Sequence, residues 1–101
     1  QAPRSCEAWS FAAERISTGY RLVAIPKDGA LGVGGAYLFN SNALVDSNRP
    51  QRFTASPNGG FILELDRWEY ARASASLRGV LQSEAPLSKT GARFVTVVAP
   101  L

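Results

Sequence analysis

The alternation of apolar and polar side chains over residues 61–82 constrains the fold of this chain most. A strand places successive side chains on opposite faces. Apolar residues at every second position, with polar residues between them, therefore predict a strand that has one buried face and one solvent-exposed face. We therefore predict strands over 61–66 and 71–82. The apolar parity consists of Phe61, Leu63, Leu65, Ala71, Ala73, Ala75, Leu77, Gly79 and Leu81.

A turn precedes this stretch at Pro57-Asn58-Gly59-Gly60. Asn-Gly tolerates the positive φ angles of a tight hairpin, which makes it the clearest turn in the sequence. We therefore expect residues 52–56 to pair with residues 61–66 across it.

A helix is the alternative for the second half of the stretch. Asp66 and Glu69 could form a capping box before it. Against this alternative, Gly79 would cost about 1 kcal/mol in a helix interior, and we favour the strand. The residues at helical spacing are Tyr70, Ala73, Leu77, Val80 and Leu81.

The N-terminal region predicts a helix over residues 6–17. Ser5 is a suitable N-cap, and Gly19 is a suitable stop. An apolar stripe at helical spacing supports this prediction. Trp9 begins that stripe, and we interpret it as a core residue, with docking on a partner as the alternative. The stripe consists of Trp9, Ala12, Ala13 and Ile16.

The remaining strands are predicted at 20–25, 29–40 and 92–99, with glycines interrupting the second of these. Residues 40–51 are rich in Asn, Asp, Ser and Pro, which favours a long loop. The predicted fold class is therefore α+β and β-rich. One N-terminal helix packs on about six mainly antiparallel strands, as a sandwich or, less favoured, a partly open barrel.

Composition fits one globular domain over residues 1–101. The sequence is 46% hydrophobic and 19% charged, with a net charge of +3. No apolar run approaches the roughly 20 residues of a membrane helix. The chain begins at Gln1 and contains no methionine, from which we expect a processed or excised chain that is secreted or periplasmic.

Catalysis and metal binding find little support in the residue types present. The chain has no histidine and a single cysteine, Cys6. The absence of histidine excludes the Ser-His-Asp triad, the Cys-His pair and most zinc sites. Glu64 and Asp66 share one predicted strand face, but two acids on an outward face are ordinary. We expect no enzyme activity, no cofactor and no metal.

The candidate partner-binding residues are arginines and aromatics. Arginine suits the planar recognition of carboxylate or phosphate. One group flanks Pro50 in the long loop, and another interleaves arginine with aromatic side chains after the 61–66 strand. The candidates are Arg49, Arg52, Arg67, Trp68, Tyr70, Arg72 and Trp9.

Two functions remain open on this basis. The favoured one is a non-catalytic protein-binding or assembly subunit of an exported or cell-surface system, with a protein partner or a homo-oligomer. The alternative is a barrel that binds single-stranded nucleic acid by stacking bases on Trp68 and Tyr70 and holding phosphates with arginines. Glu64, Asp66 and Glu69 interrupt the positive field and weigh against that alternative.

Overall fold

The computed structural model describes residues 4–5, 9–27, 35–57, 59–86, 91 and 93–101. This part of the chain is all-β and contains no helix. Accordingly, no helix suited to crossing a membrane occurs in it. The strands are β1 (Arg4–Ser5), β2 (Trp9–Ile16), β3 (Gly19–Pro26), β4 (Ala36–Asn40), β5 (Arg52–Ala55), β6 (Phe61–Asp66), β7 (Ser76–Ser83) and β8 (Phe94–Pro100).

The described strands form two sheets. Sheet B has the order β2-β3-β6-β5 and is antiparallel throughout. Sheet A has three antiparallel strands in the order β8-β7-β4, and the two-residue β1 joins β8 in parallel at the edge.

The core lies between the two sheets, which confirms the predicted sandwich arrangement. Each sheet turns one parity of side chains inward, and Leu44 and Ala71 join them from connecting segments. Burial of this apolar surface is the main favourable contribution to folding. The other buried apolar residues are Trp9, Tyr20, Leu22, Ala24, Leu38, Phe61, Leu63, Leu65, Leu77, Leu81, Val95, Val97 and Ala99.

The predicted N-terminal helix is wrong, and with it the α+β class. Residues 9–16 form β2, which pairs with β3 over its whole length, from Trp9 opposite Pro26 to Ile16 opposite Gly19. Side chains at every second position contact the core, while Ala12 is exposed. The apolar residues of this segment fit the spacing of a helix as well as the alternation of a strand. Pairing of eight residues with β3, whose inward side chains are buried, outweighs the helical propensity of alanine. The inward positions begin with Trp9, Phe11 and Ala13.

Gly19 starts β3 instead of stopping a helix. A Cβ atom here would overlap the carbonyl oxygen of Leu65 and lie 2.5 Å from the backbone nitrogen of Arg67. The residue is therefore required by the close approach of the β6 backbone rather than by a helix end.

The predicted strands of the central hairpin and their pairing are confirmed, while position 58 of the predicted turn lies outside the described residues. β6 spans residues 61–66 as predicted, and β5 pairs with it from Ala55 opposite Phe61. The strand prediction for 71–82 holds for 76–83, whereas 71–75 is irregular and the helical alternative is wrong. The predicted strand at 29–40 is observed at 36–40, and its positions 29–34 lie outside the described residues.

The long loop is ordered by the side chain of Asn40. Its Oδ1 accepts hydrogen bonds from the backbone N–H groups of Leu44 (2.7 Å) and Val45 (3.2 Å). Its Nδ2 donates to Asn42 Oδ1 and to the carbonyl of Arg78, both at 2.8 Å. These bonds direct the Leu44 side chain into the core.

Gln51 covers the free edge of β4. Its side-chain Oε1 accepts a hydrogen bond from the backbone N–H of Leu38, and its Nε2 donates to the carbonyl of Leu38, each at 2.8 Å. The primary amide therefore pairs with both backbone groups of an edge residue as a neighbouring strand would.

Candidate binding surfaces

Three arginines line a groove at one end of the sandwich, which we call the arginine groove. Its volume is about 280 Å³. Two sheet B strands, the residues that follow β6 and the irregular segment before β7 contribute to it. The lining residues are Arg15, Ile16, Gly19, Tyr20, Arg67, Arg72, Ala73 and Ser74.

Strand alternation places two of these arginines at the end of the core. Arg15 has the inward parity of β2 and is paired with the buried Tyr20, which is itself paired with Leu65. Arg67 continues the inward parity of β6 one step past that strand. Both positions extend the core-facing rows beyond the last buried residue, where an arginine stem can cover apolar surface while its head stays in water.

Backbone carbonyls hold both guanidinium groups. Arg15 Nη2 donates to the carbonyl of Ser74 at 2.6 Å, and Arg67 Nη2 donates to the carbonyl of Ala71. A guanidinium has five N–H donors, so each of these arginines keeps donors that can face a ligand. Arg72 is exposed, and its side chain makes no hydrogen bond to any described residue.

The charges of the groove differ from those on the outer face of sheet B. There, Arg21 bonds Glu14 (2.6 Å) and Glu64 (3.0 Å), and Arg52 bonds Glu64 (3.4 Å) and Asp66 (3.2 Å). No acidic side chain occurs among the described residues that line the arginine groove. The arginines on the outer face of sheet B therefore form ion pairs, whereas no described carboxylate lines the groove beside its three arginines.

The ion pairs shift the ionisation of their members. Hydrogen bonds from Arg21, then from Arg52, hold the pKa of Glu64 below its ordinary value. Bonding to Glu14 and then Glu64 raises the pKa of Arg21, and bonding to Asp66 and then Glu64 raises the pKa of Arg52. This arrangement stabilises the ionised form of Glu64 and the protonated forms of Arg21 and Arg52.

Trp68 and Tyr70 lie on a turn between Arg67 and Arg72. The backbone of the turn is fixed, because Trp68 N–H donates to the carbonyl of Leu44 and Ala71 N–H donates to the carbonyl of Trp68. The two rings contact each other edge to face, with centroids 5.1 Å apart. They are nevertheless 38% and 67% exposed.

The other predicted partner-binding residues lie apart from this groove. Arg52 belongs to the ion pairs on the outer face of sheet B. Arg49 is exposed in the loop before β5, and its side chain has no hydrogen bond within the described part of the chain. Trp9 is buried, with its ring 5.5 Å from that of Phe61, and so contributes to the core.

A second surface, which the sequence analysis did not identify, is the outer face of sheet A. We call Phe39, Val80, Phe94 and Val98 the apolar face. Phe39 is paired with Val80, and Val80 with Thr96, which Phe94 and Val98 flank on β8. Phe39, Phe94 and Val98 are 50%, 48% and 56% exposed.

No acidic residue points outward from β4, β7 or β8, and the outward basic residue on these strands is Arg78. The ring of Tyr37 packs edge-on against Phe39 at 4.9 Å and extends the patch. The sequence did indicate this surface, because large apolar side chains occur at both odd and even positions of residues 94–98, and therefore on both faces of the strand. A strand that is apolar on both faces is typical of one that is covered on both faces.

No metal cluster of three or more histidine, cysteine or carboxylate side chains is found within the described ranges. No family model matches the chain, and it has no significant match to a curated protein or to a solved structure.

Proposed function

We propose that this protein is a non-catalytic protein-binding or assembly subunit whose contact surface is the apolar face. The observation that carries the proposal is the exposure of Phe39, Phe94 and Val98 together on the outer side of one sheet. A group of exposed apolar side chains on one face is the usual mark of an interaction surface, whereas isolated exposed apolar residues are not.

The two outer faces of the sandwich differ in a way that supports this proposal. Sheet B carries the ion pairs on its outer side, next to the outward Val23, Ile25 and Ile62. The ion-paired residues are Glu14, Arg21, Glu64, Arg52 and Asp66. Sheet A has Phe39, Val80, Phe94 and Val98 on its outer side, with Arg78 opposite Val98 and Gln82 opposite Phe94. Interface centres are enriched in aromatic residues and depleted of acidic ones, and the apolar face has that composition.

Placement in an exported or cell-surface system is part of the same proposal, and it rests on the sequence alone. Fractionation of cells that express the gene from its own start codon tests it. Recovery of all the protein from the cytosol would contradict this placement while leaving the binding proposal intact.

Sizing of the purified chain tests the contact surface. We expect a complex larger than a monomer at micromolar concentration, either with itself or with a partner captured from its source. The double variant Phe39→Ser/Phe94→Ser should remove that complex without unfolding the protein, because both side chains are half exposed.

Ile25→Ser is the matched control. Ile25 is 42% exposed and points outward from β3 in sheet B, so the change removes exposed apolar surface from the opposite face. A wild-type chain that stays monomeric and captures no partner would refute the proposal. If Ile25→Ser also removed the complex, association would depend on surface hydrophobicity in general and not on the apolar face.

Binding of single-stranded nucleic acid is a second candidate, favoured by the exposed Trp68 and Tyr70 rings on a turn flanked by Arg67 and Arg72. Aromatic stacking with nearby arginines can hold a strand without sequence preference. The test is salt-dependent retention on single-stranded DNA, which a Trp68→Ala/Tyr70→Ala variant should lose. Absence of wild-type retention at low salt would exclude this function.

A further inference from the structure

We propose that the arginine groove binds a phosphate group carried by a small ligand. This inference goes beyond the protein-binding proposal and does not depend on it, because the groove and the apolar face are built by different elements. The groove lies at the end of the sandwich, between sheet B strands and the segment before β7, whereas the apolar face lies on the outer side of sheet A.

Charge balance favours phosphate over a single carboxylate. Arg15, Arg67 and Arg72 bring three positive charges to one groove, and the described lining residues bring no negative charge. A phosphate monoester has a charge of about −1.5 to −2 at neutral pH and three acceptor oxygens. It can therefore accept hydrogen bonds from three guanidinium groups, whereas a carboxylate has one charge and two oxygens.

The arginines are partly ordered before any ligand binds. Hydrogen bonds to the carbonyls of Ser74 and Ala71 fix the heads of Arg15 and Arg67 against the segment that forms one wall. Arginine loses side-chain entropy when it is immobilised, and these hydrogen bonds already restrict two of the three side chains.

The dimensions of the groove limit the ligand. A volume of about 280 Å³ lies just below the range of about 300–1,000 Å³ typical of drug-sized pockets. Gly19 and the buried Tyr20 are among the residues that line it. A phosphate with a small substituent matches this space.

The test is titration of the full chain with sodium phosphate at constant ionic strength, followed by the amide resonances of Ala73 and Ser74. We expect saturable shifts at these positions. Arg72→Gln should weaken binding about tenfold, the smallest effect expected from the loss of one charge-assisted hydrogen bond. Because Arg72 bonds no described residue, this variant should keep the wild-type fold.

Arg49→Gln is the matched control, since it removes one exposed arginine that also lacks a side-chain hydrogen bond among the described residues. Equal weakening in both variants would overturn the site in favour of general electrostatic attraction, and so would shifts spread over the whole surface. Citrate that competes as tightly as phosphate at equal concentration would overturn the choice of phosphate.

A short oligothymidylate identifies the source of the phosphate. Strand binding that Arg72→Gln weakens about tenfold would overturn the small ligand and assign the groove to a nucleic-acid phosphate. Phosphate binding without strand binding supports a small phosphoester. Neither result changes the oligomeric state that tests the apolar face, so the two proposals can fail separately.

Discussion

Removal of the Asn40 side chain should destabilise the protein through the backbone of the long loop. Asn40→Ala deletes four hydrogen bonds: two accepted from the N–H groups of Leu44 and Val45, and two donated to Asn42 and to the carbonyl of Arg78. The carbonyl of Arg78 still accepts a bond from Ser41 N–H at 2.9 Å, so it is not left without a donor. The two N–H groups lose the acceptor they share.

The expected cost follows from those two N–H groups. A partly buried backbone donor left without a partner costs about 1–3 kcal/mol. Water can reach part of this loop, so we take the lower limit for each group and expect a loss of about 2 kcal/mol in the free energy of unfolding. Because the same bonds direct Leu44 into the core, poorer packing of that side chain would add to this value.

Urea denaturation measures the difference, with Asn48→Ala as the control. Asn48 lies in the same loop, is exposed, and its side chain makes no hydrogen bond to a described residue, so its removal should change stability by less than about 0.5 kcal/mol. Hydrogen exchange at Leu44 and Val45 should accelerate in Asn40→Ala alone. Equal stability of the two variants, or unchanged exchange at both amides, would refute the role assigned to Asn40.

Three further predictions concern backbone geometry and charge. Gly79→Ala should lower the free energy of unfolding by about 1–3 kcal/mol, because its Cβ would overlap the carbonyl oxygen of Phe39; a neutral result in urea would contradict that close approach. Ala43→Gly should raise the free energy of unfolding by up to about 1 kcal/mol, because Ala43 has a φ of 57°. Glycine adopts this left-handed conformation freely. Arg21 and Arg52 lower the pKa of Glu64, so its stabilising contribution is present above the ordinary carboxyl pKa and is lost as the pH falls through the lower folded value. Urea midpoints measured from about pH 5 to pH 3 should therefore fall less in Glu64→Gln than in the wild type, and parallel curves would contradict this.

The central hairpin could be predicted from sequence because its determinants are local. The Asn58-Gly59 dipeptide and the strict alternation after Phe61 agree with each other, so turn chemistry and side-chain parity give one answer. The first hairpin lacks such agreement. Its two connecting residues are Ser17 and Thr18, which do not identify a turn, and its alanines fit a helix as well as a strand. Only pairing with β3, a tertiary contact, decides between them.

The arginine groove could be predicted from the sequence only in part. Arg67 and Arg72 were predicted as binding residues because aromatic residues lie between them in the sequence. Arg15 is not among the candidates predicted from the sequence, and on a helix it would lie on a different face from Trp9. In the observed strand it shares the inward parity of Trp9, Phe11 and Ala13, and the groove depends on that parity. The three sequence segments meet only after the two sheets have packed.

The amide of Gln51 has a consequence for how copies of this protein can associate. Strand-by-strand growth requires a free backbone edge, and at Leu38 both polar groups of that edge are already occupied by a side chain. Contacts made instead through flat side-chain surfaces end when the matching patches are covered. We therefore expect the β4 edge to resist strand addition, and the replacement of this one glutamine by alanine is the change most suited to opening that edge to another copy.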